Sequence, residues 1–143
     1  MKIKRQASVI WEGGIKDGRG AISTGSGALK AYPYGFSSRF EGQQGSNPEE
    51  LIGAAHASCF TMALSLILGE AGLTATKLET SAEVVLEKLE SGFAITSVHL
   101  TLKGTVPGAD QAKFEELAAK AKAGCPVSKL LNTEITLSTT LVA

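Results

Sequence analysis

Surplus charge is missing from this sequence: 14 Lys and Arg residues balance 14 Asp and Glu residues. A neutral chain leaves no electrostatic footprint for nucleic acid or for an anionic membrane surface. Aromatic residues make up only 6% of the chain, too few for a base-stacking platform. Cysteine is scarcer still, at two residues, Cys59 and Cys125, with 65 residues between them. That spacing excludes a CxxC redox motif and a short-spaced zinc pair. The first residues, MKIKRQASVIWEGG, mix cations with apolar residues and lead into no apolar core or small-residue cleavage site. A secretory signal is not expected, and the cytoplasm is the expected compartment, where thiols stay reduced unless they do redox work. Internal repeats and low-complexity tracts are also missing. The 143 residues are expected to form one domain, 1–143, long enough to bury a core without staples.

What is present reads as an α+β protein. Ile3, Arg5, Ala7, Val9 and Trp11 alternate with Lys4, Gln6 and Ser8, so a strand is expected over 2–11, with a turn at Glu12-Gly13-Gly14. A second strand should follow, broken at Asp17-Gly18 and Gly20 and running to Ser23. Residues 24–46 are rich in Gly, Ser and aromatic residues and read as an irregular loop, the kind of segment that often carries function. Asn47-Pro48-Glu49-Glu50 is a helix start: an N-cap, a proline at the first position and acid in the first turn. This helix should reach Glu70 and stop at Gly72. Strands are expected over 76–89 and 93–105, and a helix over 110–123 buries Phe114, Leu117, Ala118 and Ala121. Pro126 should open a short helix with Cys125 at its N-cap, and a last strand covers 134–142.

Residues 51–68, LIGAAHASCFTMALSLIL, carry no charge and reach the minimum length of a membrane span. His56, Ser58, Thr61 and Ser65 scatter polarity around the run, however, and acid rather than basic or aromatic anchors flanks it. The reading preferred here is a core helix. One short chain has little surface with which to cover it on all sides, so a second copy is expected to help.

Cys59 lies within that run. Burial alone would raise its pKa and leave it inert, so a reactive Cys59 needs a cation brought to it. Arg39, in SSRFEG, is the candidate, and Glu49 is the candidate orienter of its guanidinium. Glu49 and Cys59 are ten residues apart on one helix, about 15 Å along its axis. They can share a site only if the helix breaks or if Glu49 comes from a second copy. His56 lies three residues before Cys59 on the same face, and a Cys–His pair is conceivable, although a packed histidine is the plainer reading. A metal site built from His56, Cys59, His99 and Cys125 has no supporting ligand spacing, and none is expected. Cys125 at a helix N-terminus would have a stabilised thiolate, which suits a cysteine that must leave from a disulfide. Inert core cysteines remain the alternative at this level.

The strings NPEELIGAAHASCFTMALSLILGEAG (47–72) and KAGCPVSKLL (122–131) closely resemble the OsmC branch of the OsmC/Ohr family. The likeness extends through VIWEGGIKDGRGAIST (9–24), YGFSSRFEG (34–42) and SGFAITSVHL (91–100). The resemblance implies an OsmC-like fold, with antiparallel sheets around long central helices in an intertwined homodimer. It implies a thiol-dependent peroxidase that reduces organic hydroperoxides, and hydrogen peroxide as well, in oxidative and osmotic stress. By motif position Cys59 matches the peroxidatic cysteine, Cys125 the resolving one, Arg39 the activating arginine and Glu49 its carboxylate partner; His56 matches no catalytic position. No cofactor is implied. The implied partners are a second copy, a hydroperoxide and a dithiol electron donor such as the lipoylated proteins of the Ohr branch. A peroxide-responsive redox sensor and a non-enzymatic dimeric ligand-binding protein are the competing readings.

Overall fold

The computed structural model describes residues 1–142. They fall into two compact units, Met1–Leu51 and Ile52–Ala143. The first unit holds β1 (Ala7–Glu12), β2 (Arg19–Thr24), β3 (Tyr32–Tyr34) and α1 (Phe36–Phe40). The strands form an antiparallel sheet in the order β1-β2-β3. The first strand begins at Ala7 rather than residue 2, because Ala7 pairs with Thr24, the last residue of β2. Alternation in the sequence marks a strand-compatible stretch, but a partner strand decides where the ladder ends.

The segment 24–46 is more ordered than its composition suggests, since it contains β3 and α1. Gly20 makes β3 possible: a Cβ there would stand 2.2 Å from the Tyr34 ring, so only glycine lets that ring lie across the strand. Pro33 sits on the outermost strand, where its missing N–H costs nothing. Its carbonyl accepts the Ser46 N–H at 3.1 Å, which closes the loop on itself.

The helix α2 (Pro48–Glu70) starts as the sequence predicts, with Asn47 Oδ1 accepting the Glu50 N–H at 2.8 Å. It ends in a left-handed cap. Gly72 has φ +75°, and the Leu73 N–H reaches the Leu68 carbonyl at 2.8 Å. The helix is long and apolar enough to cross a membrane, with a mean hydropathy of 1.8 over its best window. Core helices of soluble proteins pass the same test. One stripe of it is fully covered, since His56, Phe60, Leu64 and Leu68, four residues apart, are buried. Met62 and Leu66 are exposed, at 77% and 67%.

In the second unit, β4 (Lys77–Leu89) and β5 (Gly92–Thr105) form a long antiparallel hairpin. Then come α3 (Gln111–Gly124), α4 (Pro126–Leu130) and β6 (Glu134–Leu141). β6 runs parallel to β5, from Ser97↔Glu134 to Gly104↔Leu141. The expectation of antiparallel sheets therefore needs refinement: it holds for the first sheet and for β4–β5 but not for β6. The two helices α3 and α4 supply the crossover that a parallel pairing requires.

The α3 face is the expected one: Phe114, Leu117, Ala118 and Ala121 are buried, and Asp110 caps the helix through the Lys113 N–H at 2.8 Å. These residues pack with Phe60, Leu64 and Leu68 of α2 and with Val98, Leu100 and Leu102 of β5 in one apolar core. Cys125 belongs to that core, and Cys59 packs against it.

Candidate active site

The four expected site residues assemble as two pairs. In the first unit, α1 presents Arg39 and the first turn of α2 presents Glu49. Arg39 Nε donates to Glu49 Oε1 at 3.2 Å, and Nη2 donates to Oε2 at 3.1 Å. This is a two-point fork, which fixes the plane of the guanidinium as well as its position. The Glu49 side chain is 11% exposed and that of Arg39 is 36% exposed, so the carboxylate is held inside while the cation keeps a face for a further ligand. The Arg39 guanidinium also lies 5.3 Å from the Phe40 ring centroid. Beside it is a cavity of about 200 Å³ lined by Trp11, Ile15, Tyr34, Phe36 and Phe40. The sequence marked 24–46 as aromatic-rich but did not show that its rings would wall a cavity beside Arg39. The available signal was the clustering of Tyr and Phe on either side of SSR.

In the second unit, α2 presents Cys59 and the junction of α3 and α4 presents Cys125. Both thiols are free, Cys125 is fully buried and Cys59 is half-buried. The Cys59 pKa is raised: burial is the main cause, and donation of its S–H to Cys125 adds to it, while the Val127 N–H partly offsets both. For Cys125, burial opposes ionisation, but the neighbouring Cys59 thiol and the polar groups of Ser128 and Val127 at the start of α4 outweigh it and lower the pKa. Cys125 is the N-cap residue of α4, and no conventional cap hydrogen bond is formed by its side chain. The N–H groups at that helix start still favour the thiolate, because they have no partner within the helix. Thus, of the two thiols, Cys125 is the more readily ionised and Cys59 the less.

His56 is fully buried, with Nε2 2.7 Å from Ser128 Oγ. Burial lowers its pKa, so the ring is neutral near pH 7. Among the described residues its Nδ1 has no hydrogen-bond partner. Sequence reasoning missed Ser128; the signal was AGCPVS, which places a hydroxyl three residues after an N-cap cysteine. His99, the other histidine, instead bonds Thr136 and Ser138 of β6.

A family model described as OsmC-like protein matches residues 41–140. The chain belongs to the OsmC family. Within it, a relative named Peroxiredoxin OsmC, from Escherichia coli (strain K12), is 57% identical over 137 residues, which is 96% of each chain. Among solved structures, the Organic Hydroperoxide Resistance Protein OhrB of Bacillus subtilis is 30% identical, with a TM-score of 0.70 over 94% of this chain and 98% of that one. An OsmC-like protein from Mycoplasma pneumoniae has a TM-score of 0.79 over 100% of both chains at 15% identity, which supports the fold alone. The α+β, OsmC-like fold is thus shared across relatives whose sequences have diverged widely.

Proposed function

We propose that this OsmC-family chain is a thiol-dependent peroxidase acting on organic hydroperoxides, and on hydrogen peroxide as well. The observation that carries the reading is the adjacency of two free thiols with opposite pKa shifts, Cys59 and Cys125, in a chain 57% identical to a protein named Peroxiredoxin OsmC. The organic hydroperoxide resistance relative supports the substrate class.

In the proposed cycle the Cys59 thiolate attacks the terminal oxygen of the hydroperoxide. The O–O bond breaks, an alcohol or water leaves with the proton, and Cys59 becomes a sulfenic acid. The Cys125 thiolate attacks that sulfur, water is released and a disulfide forms. An external dithiol, such as a lipoylated protein, reopens it and is itself oxidised to a disulfide. The cycle calls for no metal or organic cofactor.

Burial and the neighbouring Cys125 outweigh the Val127 N–H and disfavour ionisation of Cys59, so the cycle needs a cation at Cys59. Arg39, held by Glu49, is the proposed source. The helix α2 is unbroken from Pro48 to Glu70, and ten residues of helix span about 15 Å. Glu49 and Cys59 of the same chain therefore do not share a site, and the proposed enzyme is a homodimer in which each site draws on both copies. The exposed Met62 and Leu66 give α2 an apolar face for the second copy. We read 1–143 as one functional domain, working in the cytoplasm, where the reducing environment regenerates the thiols. The cavity beside Arg39 fits the alkyl part of a hydroperoxide. Steady peroxide consumption with a dithiol donor tests the reading. Cys59→Ser should abolish it, and full activity in that variant would overturn it.

A further inference from the structure

We propose that His56 is a positioning residue for Cys125, acting through Ser128: its Nε2–H donates to Ser128 Oγ, which commits the single serine proton to the Cys125 sulfur. His56 is 72 residues from Ser128 in the chain, whereas Ser128 and Cys125 share the start of α4. His56 stands on the buried stripe of α2, Cys125 is the N-cap of α4, and Ser128 lies on the first turn of α4 with its Oγ 2.7 Å from the histidine.

The direction of the chain of hydrogen bonds follows from the unpartnered atom. A neutral imidazole carries one N–H and one lone pair. Nδ1 is buried with no partner. A buried N–H without an acceptor is rarer and costlier than an under-used acceptor, so Nδ1 is the bare lone pair and the proton is on Nε2. A hydroxyl that accepts from Nε2–H has its own proton free for another acceptor, and Ser128, at the third position of α4, stands where a side chain turns back toward the N-cap residue, Cys125, whose ionisation it favours. Were Nε2 the acceptor instead, the serine proton would turn away and a lone pair would face the sulfur.

The consequence rests on the disulfide cycle proposed above. When a dithiol thiolate attacks Cys59 of the Cys59–Cys125 disulfide, a new S–S bond forms to Cys59 and the old one breaks. The electron pair leaves on Cys125 Sγ, where the Ser128 O–H receives it. The second donor thiol then frees Cys59, and the two protons of the dithiol end on the two protein thiols. A lower Cys125 pKa makes it the faster leaving group.

The test reads ionisation rather than turnover, so it stands apart from the peroxidase assignment. In a Cys59→Ser protein, which keeps Cys125 as its only thiol, thiolate ultraviolet absorbance is followed against pH. Added His56→Leu should raise the midpoint and lower the thiolate fraction below it about fivefold, the equivalent of one ordinary hydrogen bond. Ser128→Ala should do the same, the two together should do no more than either, and His56→Gln, which keeps a donor, should restore the midpoint. An unchanged midpoint in His56→Leu, or full additivity with Ser128→Ala, would overturn the proposal. Nitrogen NMR of the unmodified protein gives a second reading that survives any folding failure. A pyrrole-like Nε2 and a pyridine-like Nδ1 in His56 support the proposal, and the reverse tautomer rules it out.

Discussion

Arg39 and Glu49 meet fork to fork, through two hydrogen bonds of 3.2 and 3.1 Å, so that a carboxylate on the first turn of α2 sets the plane of a guanidinium on α1. Glu49→Gln keeps the shape but replaces one accepting oxygen with a donor that repels Nη2. Peroxidase kcat/KM should fall about a hundredfold, the cost typical of a reacting group displaced by an ångström or so. Stopped-flow peroxide consumption checks this. A rate within a factor of about two of the parent would remove Glu49 from the mechanism.

The proposed sharing of sites between two copies has its own signature. Arg39→Ala and Cys59→Ser proteins should each be inactive. Unfolding and refolding them together should recover substantial activity, because mixed dimers then hold one site with both native groups. If the site were built within one chain, the mixture would stay inactive.

The core and the site should separate cleanly. Phe114 is fully buried, and a Cβ on Gly104 would come within 2.6 Å of its ring, so the fit there is tight. Phe114→Ala should cost about 3–5 kcal/mol by urea unfolding. At low temperature the folded fraction should retain its peroxide turnover, since Phe114 lies in neither pair.

Acid stability should track His56. Burial lowers its pKa below the ordinary 6.5, so the unfolded chain takes up this proton before the folded one does. The stability from keeping the ring neutral is present above 6.5 and is lost as pH falls through the lower folded value. Urea midpoints measured at stepped pH should therefore fall less steeply on acidification in His56→Gln than in the parent. Equal slopes would contradict a buried neutral ring.

Local signals in the sequence were sufficient for α2, α3 and the β4–β5 hairpin. Asn47-Pro48 and Gly72 bound α2 through cap chemistry that acts within a few residues, and Phe114 to Ala121 repeat with the helical period. Three features were not legible, each because it depends on residues far apart in the chain. β3 exists because Gly20 leaves room for the Tyr34 ring. β6 runs parallel to β5 because α3 and α4 carry the chain back across the sheet. Ser128 matters because His56, on another helix, reaches its hydroxyl. The site residues themselves were legible as candidates from their chemistry, and their roles came from the resemblance to the OsmC family. The opposite shifts of the two thiols needed the fold, since they depend on which sulfur donates and which one faces the start of α4.

The central claim is that Cys59 and Cys125 of one chain form a peroxide-driven disulfide. Intact-mass spectrometry of the reduced protein after one equivalent of an alkyl hydroperoxide tests it most directly. The account predicts the loss of two hydrogens per chain, reversed by a dithiol, with Cys125→Ser instead gaining one oxygen as a Cys59 sulfenic acid. An unchanged mass in the native protein, or a disulfide joining two chains in place of the one within each, would contradict it.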